Sequence, residues 1–233
     1  PKKSLEIQSE IVRILDTFTE LTAELTTELA ARKRQYTYYR DQLLTFEEGQ
    51  VEWKALGEVC HMRAGQHISA INIMPEYSAD YKYPCFGGNG SRGFVKKNSH
   101  DGAHLFIGRQ GALCGNIQRM NGKFYATEHA VVVTAKDEID IDWAYHMLTL
   151  MNLNQYASKS AQPGLAVGKI ESLKIPIPSL EEQARIVVIL DKFDALTNSI
   201  TEGLPREIEL RQKQFEYYRE MLLSFPKPEV EAA

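Results

Sequence analysis

Apolar residues near both ends of the chain recur at alternating steps of three and four positions. Near the N-terminus they occupy positions 7, 11, 14, 18, 21 and 25, and a second stripe runs through 36, 39, 43 and 46. Positions between 186 and 225 follow the same spacing. This is the heptad pattern of a helix that buries one stripe against a partner helix. The pattern predicts one long helix over residues 1–50 and a second over residues 179–225.

The two end segments are copies of one another. Ser4–Asp16 aligns with Ser179–Asp191 at an offset of 175, whereas Arg32–Phe46 aligns with Arg211–Phe225 at an offset of 179. The second copy therefore contains four more residues, which fall between about positions 196 and 203. Two such helices can pack antiparallel within the chain or pair with another chain, and the repeat alone favours neither.

Local signals refine these two helices. Ser179 followed by Glu182 forms a capping box at the start of the second helix, and Pro205 predicts a kink near its middle. The first helix contains a tandem unit, Thr22–Leu25 followed by Thr26–Leu29. Adding or removing one unit changes the length of a helix by about 6 Å. That is the behaviour of an adjustable spacer, although neutral repeat slippage explains the duplication equally well.

The middle of the chain, residues 51–178, lacks a long helical period. Short apolar runs separated by glycine-rich turns predict strands over Tyr83–Phe86, His104–Gly108, Ala112–Gln118, Ala130–Thr134 and Ser172–Ile177. One helix is expected over Trp143–Tyr156. The predicted fold class is therefore α+β, with one mixed domain between two long helices that form an antiparallel coiled coil and a short tail over residues 226–233.

Composition excludes several classes of protein. A hydrophobic fraction of 43% with 25% charged residues is typical of a soluble globular chain, and no apolar run of about 18 residues could span a membrane. No signal peptide precedes the first helix, and three widely separated cysteines argue against a disulfide scaffold or a cysteine-rich zinc site. We therefore expect a cytoplasmic protein without membrane contact.

The charge is unevenly distributed. The net charge of −4 does not suggest a polyanion ligand, but residues 88–123 carry six basic side chains and one acid, Asp101. A local basic patch can attract a nucleic acid even in an acidic protein. A solvated loop surface would carry the same charges.

Motifs for independent catalysis are weak. Residues 88–93 match the glycine pattern of dinucleotide-binding loops, but no acid follows at the required distance. His100 and His104 lack a third metal ligand, and Glu128 with His129 lacks a recognisable nucleophile. The sequence therefore predicts no catalytic residue, no metal site and no cofactor in this chain.

Taken together, several motifs resemble the DNA-specificity subunit of type I restriction–modification enzymes. The resemblance is carried by Tyr83–Pro84, Phe86–Gly90 and Gly93, Phe106–Arg109 and Gly111, Cys114–Asn116, Thr127–Ala130, Gln162–Leu165, Ile175–Pro178 with Leu180, Glu182 and Gln183, and by the two Tyr-Tyr-Arg helices with the tandem unit. It covers essentially the whole chain.

The resemblance implies a non-catalytic reader of double-stranded DNA. Such subunits carry two target-recognition domains, whereas this chain has one with both conserved helices, as in a C-terminal half or a half-subunit that forms a homodimer. The implied partners are methyltransferase subunits, which bind S-adenosylmethionine, and a restriction or translocase subunit. The helices would set the spacing between half-sites.

If the chain binds DNA as the resemblance implies, two groups of side chains are candidates for DNA contact. The lysines expected at phosphates are Lys96, Lys97, Lys123 and Lys159. The side chains that could reach base edges are Asn89, Ser91, Arg92, Arg109, Gln110 and Gln162.

Four residues lie at matched positions of the two helices, namely Tyr39, Arg40, Tyr218 and Arg219. They are candidates for a partner interface, and ordinary helix surface is the alternative. The alternative function is a helical adaptor that holds partner subunits together without reading DNA.

Overall fold

The computed structural model describes residues 2–47, 49–88, 90–111, 113–159 and 163–225, with side chains from residue 4 onward. The described residues up to Gln42 and from Ile189 onward form one compact unit, and Leu43–Val188 forms the other. In chain order the elements are α1 (Lys2–Leu43), β1 (Glu52–Ala55), α2 (Leu56–Val59), β2 (Cys60–Ala64), β3 (Tyr83–Gly87), β4 (Gly90–Val95), β5 (His104–Gly108), β6 (Ile117–Met120), β7 (Tyr125–Ala126), β8 (Ala130–Ala135), α3 (Ile141–Leu150), α4 (Val167–Glu171), β9 (Lys174–Ile177), α5 (Leu180–Asn198) and α6 (Gly203–Leu223).

In the helical unit, α1 packs antiparallel against the C-terminal helices. The ring of Phe18 stacks on Tyr218 of α6 at 5.4 Å, and the ring of Tyr39 stacks on Phe193 of α5 at 5.7 Å. The earlier residue of the C-terminal helices, Phe193, contacts the end of α1, and the later one, Tyr218, contacts the first half of α1. The helices therefore run antiparallel. The predicted stripe is half-buried from Ile11 to Leu25, whereas Ile7 is 57% exposed and Tyr39 is 41% exposed.

The prediction of one unbroken helix over residues 179–225 is wrong. Residues 199–202 separate α5 from α6, and this break coincides with the four residues by which the second copy exceeds the first. Gly203 follows with a left-handed φ of +72°, and a Cβ atom there would lie 2.4 Å from the carbonyl oxygen of Ala195. Pro205 lies in the first turn of α6, where its missing N–H is not needed, so it starts a helix and does not kink one.

The first helix also ends earlier than residue 50. It stops at Leu43 because the next apolar residues pack into the Leu43–Val188 unit. Leu44 is 3% exposed, and the ring of Phe46 meets Trp143 edge-on at 5.9 Å. Phe46 therefore does not extend the helical stripe.

The second unit is built from three small sheets. β2-β8-β5-β6 form a four-stranded antiparallel sheet, β4-β3-β7 form a mixed sheet in which β3 and β7 run parallel, and β1 pairs with β9. A buried cluster links the two larger sheets, with Phe106 and Val132 from the first and Ala126 from the second. Trp143 and Leu148 of α3 are also fully buried.

The predicted strands at β3, β5, β8 and β9 are confirmed. β6 begins at Ile117 and not at residue 112, because Leu113–Gly115 forms a turn in which Gly115 has a φ of +87°. The predicted helix over 143–156 ends at Leu150, since left-handed Asn152 (φ 46°) separates it from a 3₁₀ turn at Leu153–Tyr156. No helix among the described residues is long and apolar enough to cross a membrane.

Candidate nucleic-acid interface

Glycines bring the β3–β4 hairpin against the segment that precedes β8. A Cβ atom at Gly88 would lie 2.7 Å from the carbonyl oxygen of His129, so only glycine permits this approach. On the opposite side, the amide of Arg109 donates a 3.1 Å hydrogen bond to the same carbonyl. The carbonyl of His129 is thus the point where the hairpin and the loop after β5 meet.

The loop after β5 is held on its other side by a third segment. The amide of Leu165 donates to the carbonyl of Arg109 at 2.9 Å, and the amide of Gly111 donates to the carbonyl of Pro163 at 3.1 Å. Ser158 closes this third segment, because its amide donates to the carbonyl of Gly164 at 2.9 Å. Lys159 is the next residue and is exposed.

Between these segments lies a cleft of about 400 Å³, which we call the hairpin cleft. It is lined by Gly87, Gly88, Gly90, Ser91, Arg92, Gln110, Gly111 and His129. The structure therefore brings together three of the side chains predicted to reach base edges, Ser91, Arg92 and Gln110. Arg109 lies beside them in sequence, and its Nε atom is buried without a hydrogen-bond partner among the described residues.

A chain of polar side chains leads into the hairpin cleft. The Nδ1 atom of His67 lies 2.9 Å from Oε1 of Glu128, and the Nε2 atom of His129 lies 3.5 Å from the same oxygen. The Nδ1 atom of His129 then lies 2.5 Å from Oε1 of Gln110. Burial acts to raise the pKa of Glu128, but the hydrogen bond with His67 and the nearby histidines outweigh it and lower that pKa.

The sequence did not identify this histidine chain as part of the site. Glu128 and His129 were visible as neighbours, but Gln110 lies 19 positions from His129 and His67 lies 61 positions from Glu128. No local period links such positions. Only the pairing of β5 with β8 brings the loop of Gln110 next to His129.

The lysines predicted to contact phosphates lie outside the hairpin cleft. Lys96 and Lys97 follow β4 and line a second depression of about 260 Å³, where Nζ of Lys96 lies 4.9 Å from the ring centre of Tyr81. Lys123 is exposed, and its Nζ lies 4.0 Å from a carboxylate oxygen of Asp101. Asn89 and Gln162 lie outside the described residues.

The histidines considered for metal binding have other contacts. His100 stacks on Phe124 at 5.3 Å, and burial together with the neighbouring His104 lowers its pKa. The ring nitrogens of His104 lie 2.9 Å from Oγ1 of Thr134 and 3.2 Å from the carbonyl of Asp101. These contacts account for both rings as structural groups.

The predicted partner residues have intrachain contacts. Tyr39 and Tyr218 form the ring stacks between helices described above. Arg40 forms an ion pair of 2.7 Å with Asp41, and the guanidinium carbon of Arg219 lies 5.8 Å from the ring centre of Phe215.

The neighbouring tyrosines offer more surface. Tyr38 is 61% exposed and Tyr217 is 64% exposed, so they present more area to a partner than Tyr39, which is 41% exposed.

Comparison with known proteins gives consistent matches. Residues 49–210 match the family described as the type I restriction modification DNA specificity domain. The chain is similar to the type I restriction enzyme EcoprrI specificity subunit of Escherichia coli, with 70% identity over 208 residues that cover 87% of this chain and 52% of that protein. It is also similar to the EcoR124I/EcoR124II specificity subunit of Escherichia coli, with 45% identity over 250 residues that cover 98% of this chain and 62% of that protein.

A solved structure shares the fold. The HsdS subunit from Thermoanaerobacter tengcongensis aligns with a TM-score of 0.68 at 16% identity, over 95% of this chain and 58% of that one. This likeness confirms the α+β fold with long helices. The chain spans about half to three fifths of the length of these relatives.

Proposed function

Because the chain belongs to the family of type I restriction modification DNA specificity domains, we propose that it reads one half of a split DNA target and catalyses no reaction itself. The observation that carries this proposal is the hairpin cleft. It gathers a guanidinium, a carboxamide and a hydroxyl on a glycine-rich frame, and these are the groups that recognise base edges.

Two sets of contacts have different roles in this proposal. Arg92, Gln110 and Ser91 in the hairpin cleft discriminate between bases. Lys96 and Lys97 lie beyond the other end of β4 and bind phosphates, which adds affinity without sequence preference. The first half of β4 thus carries residues that contact bases, and the residues that follow its last position contact phosphates.

The partners follow from the family. We propose that the chain binds methyltransferase subunits, which would supply S-adenosylmethionine, and a restriction or translocase subunit. Tyr38 and Tyr217 are exposed aromatic side chains at equivalent places of the two copies and suit such contacts. A homodimer of the chain would supply the second reading domain for a split target.

The helical unit would act as the spacer between two reading domains. α1 crosses the tandem unit without interruption, so its length depends directly on the number of four-residue units. The second copy takes up its four additional residues in the break at 199–202, where they do not lengthen a helix. A change in unit number in α1 is therefore the change expected to alter spacing.

The proposal is tested by selection from a library of random DNA duplexes with the full chain, alone and with methyltransferase subunits of an EcoR124I-type enzyme. Enrichment of one sequence motif by the chain alone supports DNA reading. The variant Arg92→Ala should lose the preference at one position, while Arg185→Ala on α5 should retain it. Recovery of the random library without any motif, despite stable binding of methyltransferase subunits, would contradict DNA reading and favour an adaptor.

A further inference from the structure

The segment between β2 and β3 is fixed to the sheet at two points. The amide of Gln66 donates a 2.9 Å hydrogen bond to the last carbonyl of β7, and Met74 exchanges two backbone hydrogen bonds of 2.9 and 2.7 Å with Phe94 of β4. The second attachment depends on Gly93, since a Cβ atom there would collide with the carbonyl oxygen of Met74. We call residues 67–73, which lie between the two attachments, the apolar turn.

Ile71 lies at the centre of the apolar turn. A 3₁₀ turn spans Ala70–Asn72 and is closed by a 3.1 Å hydrogen bond from the amide of Ile73 to the carbonyl of Ala70. The side chain of Ile71 is 79% exposed, more than any other large apolar side chain described in the Leu43–Val188 unit. The backbone attachments thus hold an aliphatic side chain in water, which is unfavourable until a ligand covers it.

The exposed apolar surface extends beyond this one side chain. Met74 is 37% exposed and Tyr77 is 66% exposed, and the ring of Tyr77 meets the ring of Phe94 edge-on at 5.8 Å. Single apolar side chains are common on protein surfaces, whereas a cluster of them indicates a binding surface.

The surroundings of the apolar turn identify the class of ligand. Ile68 and Asn72, on either side of Ile71, line the same depression as Lys96 and Lys97. The apolar turn itself contains no acidic residue. A polyanion held by the two lysines would therefore meet the apolar turn without repulsion from it.

The apolar turn also begins beside the hairpin cleft. The Nδ1 atom of His67, its first residue, lies 2.9 Å from Oε1 of Glu128, and the next residue along the chain, His129, lines the cleft. The turn therefore joins the surface proposed to read bases to the surface proposed to bind phosphates. A duplex that contacts both surfaces would also contact the turn.

The chemistry of isoleucine limits what Ile71 can read on such a duplex. Its side chain has no donor or acceptor, so it cannot distinguish bases by hydrogen bonds. The apolar group that a base edge presents in the major groove is the C5 methyl of thymine. Contact between the two removes apolar surface of both partners from water.

We propose that Ile71 is a specificity-determining residue that recognises one thymine of the target through its C5 methyl group. This inference rests on the proposed function and adds a base-reading side chain outside the hairpin cleft. The lysines beside the turn hold the adjacent phosphates, and the fixed turn sets the depth to which Ile71 enters the groove.

The experiment measures the contribution of the methyl group directly. Duplex selection with the full chain identifies the enriched motif, and each thymine of that motif is then replaced in turn by deoxyuridine, which lacks only the C5 methyl. Fluorescence anisotropy gives the dissociation constant of each duplex. We expect one replacement to weaken binding by about three- to fivefold, the effect of one methyl group returned to water.

Variants assign that loss to Ile71. In Ile71→Ala the same replacement should have no effect, while the losses at other thymines stay as in the native chain. Ile71→Val, which keeps a smaller branched side chain, should retain part of the loss. The matched control is Ile200→Ala, since Ile200 is 80% exposed between α5 and α6, and it should show the full native loss. A thermal melt confirms that each variant is folded.

Several results would overturn the role of Ile71 while leaving the proposed function intact. These are an enriched motif without thymine, or losses on deoxyuridine replacement that are identical in the native chain and in Ile71→Ala. Weaker binding of Ile71→Ala to thymine and deoxyuridine duplexes alike would also overturn it and indicate a wedge between bases. Loss of methyltransferase binding with unchanged DNA binding would assign Ile71 to a protein interface. A selection that enriches no motif would overturn the proposed function and this inference with it.

Discussion

The backbone amide of Asp140 donates a 2.8 Å hydrogen bond to Oε1 of Gln183. Gln183 lies in the first turns of α5, and its side chain is completely buried. Its Nε2 group donates to the carbonyl of Glu138 at 3.1 Å and to the carbonyl of Pro178 at 2.9 Å. One side chain thus satisfies three backbone groups at the start of α3 and the start of α5.

We predict that Gln183→Leu lowers the free energy of unfolding by about 2–3 kcal/mol, because it leaves these buried backbone groups without partners. Urea denaturation followed by circular dichroism measures the loss. The matched change Gln66→Leu, at an exposed position of the same unit, should cost less than about 0.5 kcal/mol. Equal stability of the two variants would mean that water replaces the contacts of Gln183.

Periodic segments of this fold are predictable from the sequence. The heptad stripe identifies α1, and apolar runs identify β3, β5, β8 and β9, because each buries a regular set of positions. β4 was missed, since Gly90 and Gly93 interrupt its pattern and a glycine weakens a strand signal. The break at 199–202 was missed because both flanking segments continue the helical period.

The site was only partly predictable. Ser91, Arg92 and Gln110 were found from residue type within a basic stretch, and the structure places all three at the hairpin cleft. Lys96 and Lys97 of the same stretch line a different depression, because they follow the end of β4 opposite to Ser91 and Arg92. The link from His129 to Gln110 depends on strand pairing, which composition and spacing do not encode.

Gly203 is required by the turn between α5 and α6. We predict that Gly203→Ala destabilises the protein by about 1–3 kcal/mol, because the φ of +72° disfavours a side chain and the new Cβ atom would lie 2.4 Å from a carbonyl oxygen. The shift of the thermal midpoint measures the effect.

Gly168→Ala is the matched control. It lies in α4 with no atom within 4 Å of the new Cβ position, so it should be neutral or stabilise the helix by up to about 1 kcal/mol. Similar midpoints for both alanine variants would refute the argument from the turn.

Ionisation of the buried thiol of Cys60 should lower the free energy of unfolding at alkaline pH. Burial raises the pKa of its thiol from 9.0 to about 11, although Lys136 acts in the opposite direction. The folded protein holds the thiol proton more tightly than the unfolded chain, whose thiol pKa is 9.0. The resulting stabilisation is complete below pH 9.0 and is lost as the pH rises through about 11. We expect about 2–3 kcal/mol of stability to disappear over this range.

The measurement is the free energy of unfolding in urea across that pH range for the native chain and for Cys60→Ala. Subtracting the two curves removes the contribution of the tyrosines and lysines. Parallel curves would indicate that the thiol ionises in the folded state as easily as in the unfolded chain.

Lys96 and Lys97 should bind phosphates. We predict that Lys96→Glu with Lys97→Glu weakens binding to all duplexes similarly and reduces the slope of log K against log salt by about 2, close to 0.9 for each lost phosphate contact. The charge-matched control is Lys33→Glu with Lys192→Glu, two exposed positions in the helical unit. An equal salt slope in both double variants would exclude the first pair as phosphate contacts.

The length of α1 should determine the spacing of half-sites. Deleting Thr26–Leu29 removes four residues from the continuous helix and shortens it by about 6 Å, or nearly two base pairs at 3.4 Å each. In an assembly with two reading domains, the preferred gap between half-sites should therefore fall by one or two base pairs, while the bases selected within each half-site stay the same. Selection from duplexes with a randomised gap measures this preference.

The effect of the length of α1 must be distinguished from the effect of the side chains in the deleted segment. Replacing Thr26–Leu29 by four alanines keeps the number of residues, so it should keep the original gap even if the helix contacts weaken. Adding a second Thr-Thr-Glu-Leu unit should widen the gap by the same one or two base pairs. If deletion and alanine replacement shift the gap equally, the side chains of this segment control spacing, and the length of the helix does not.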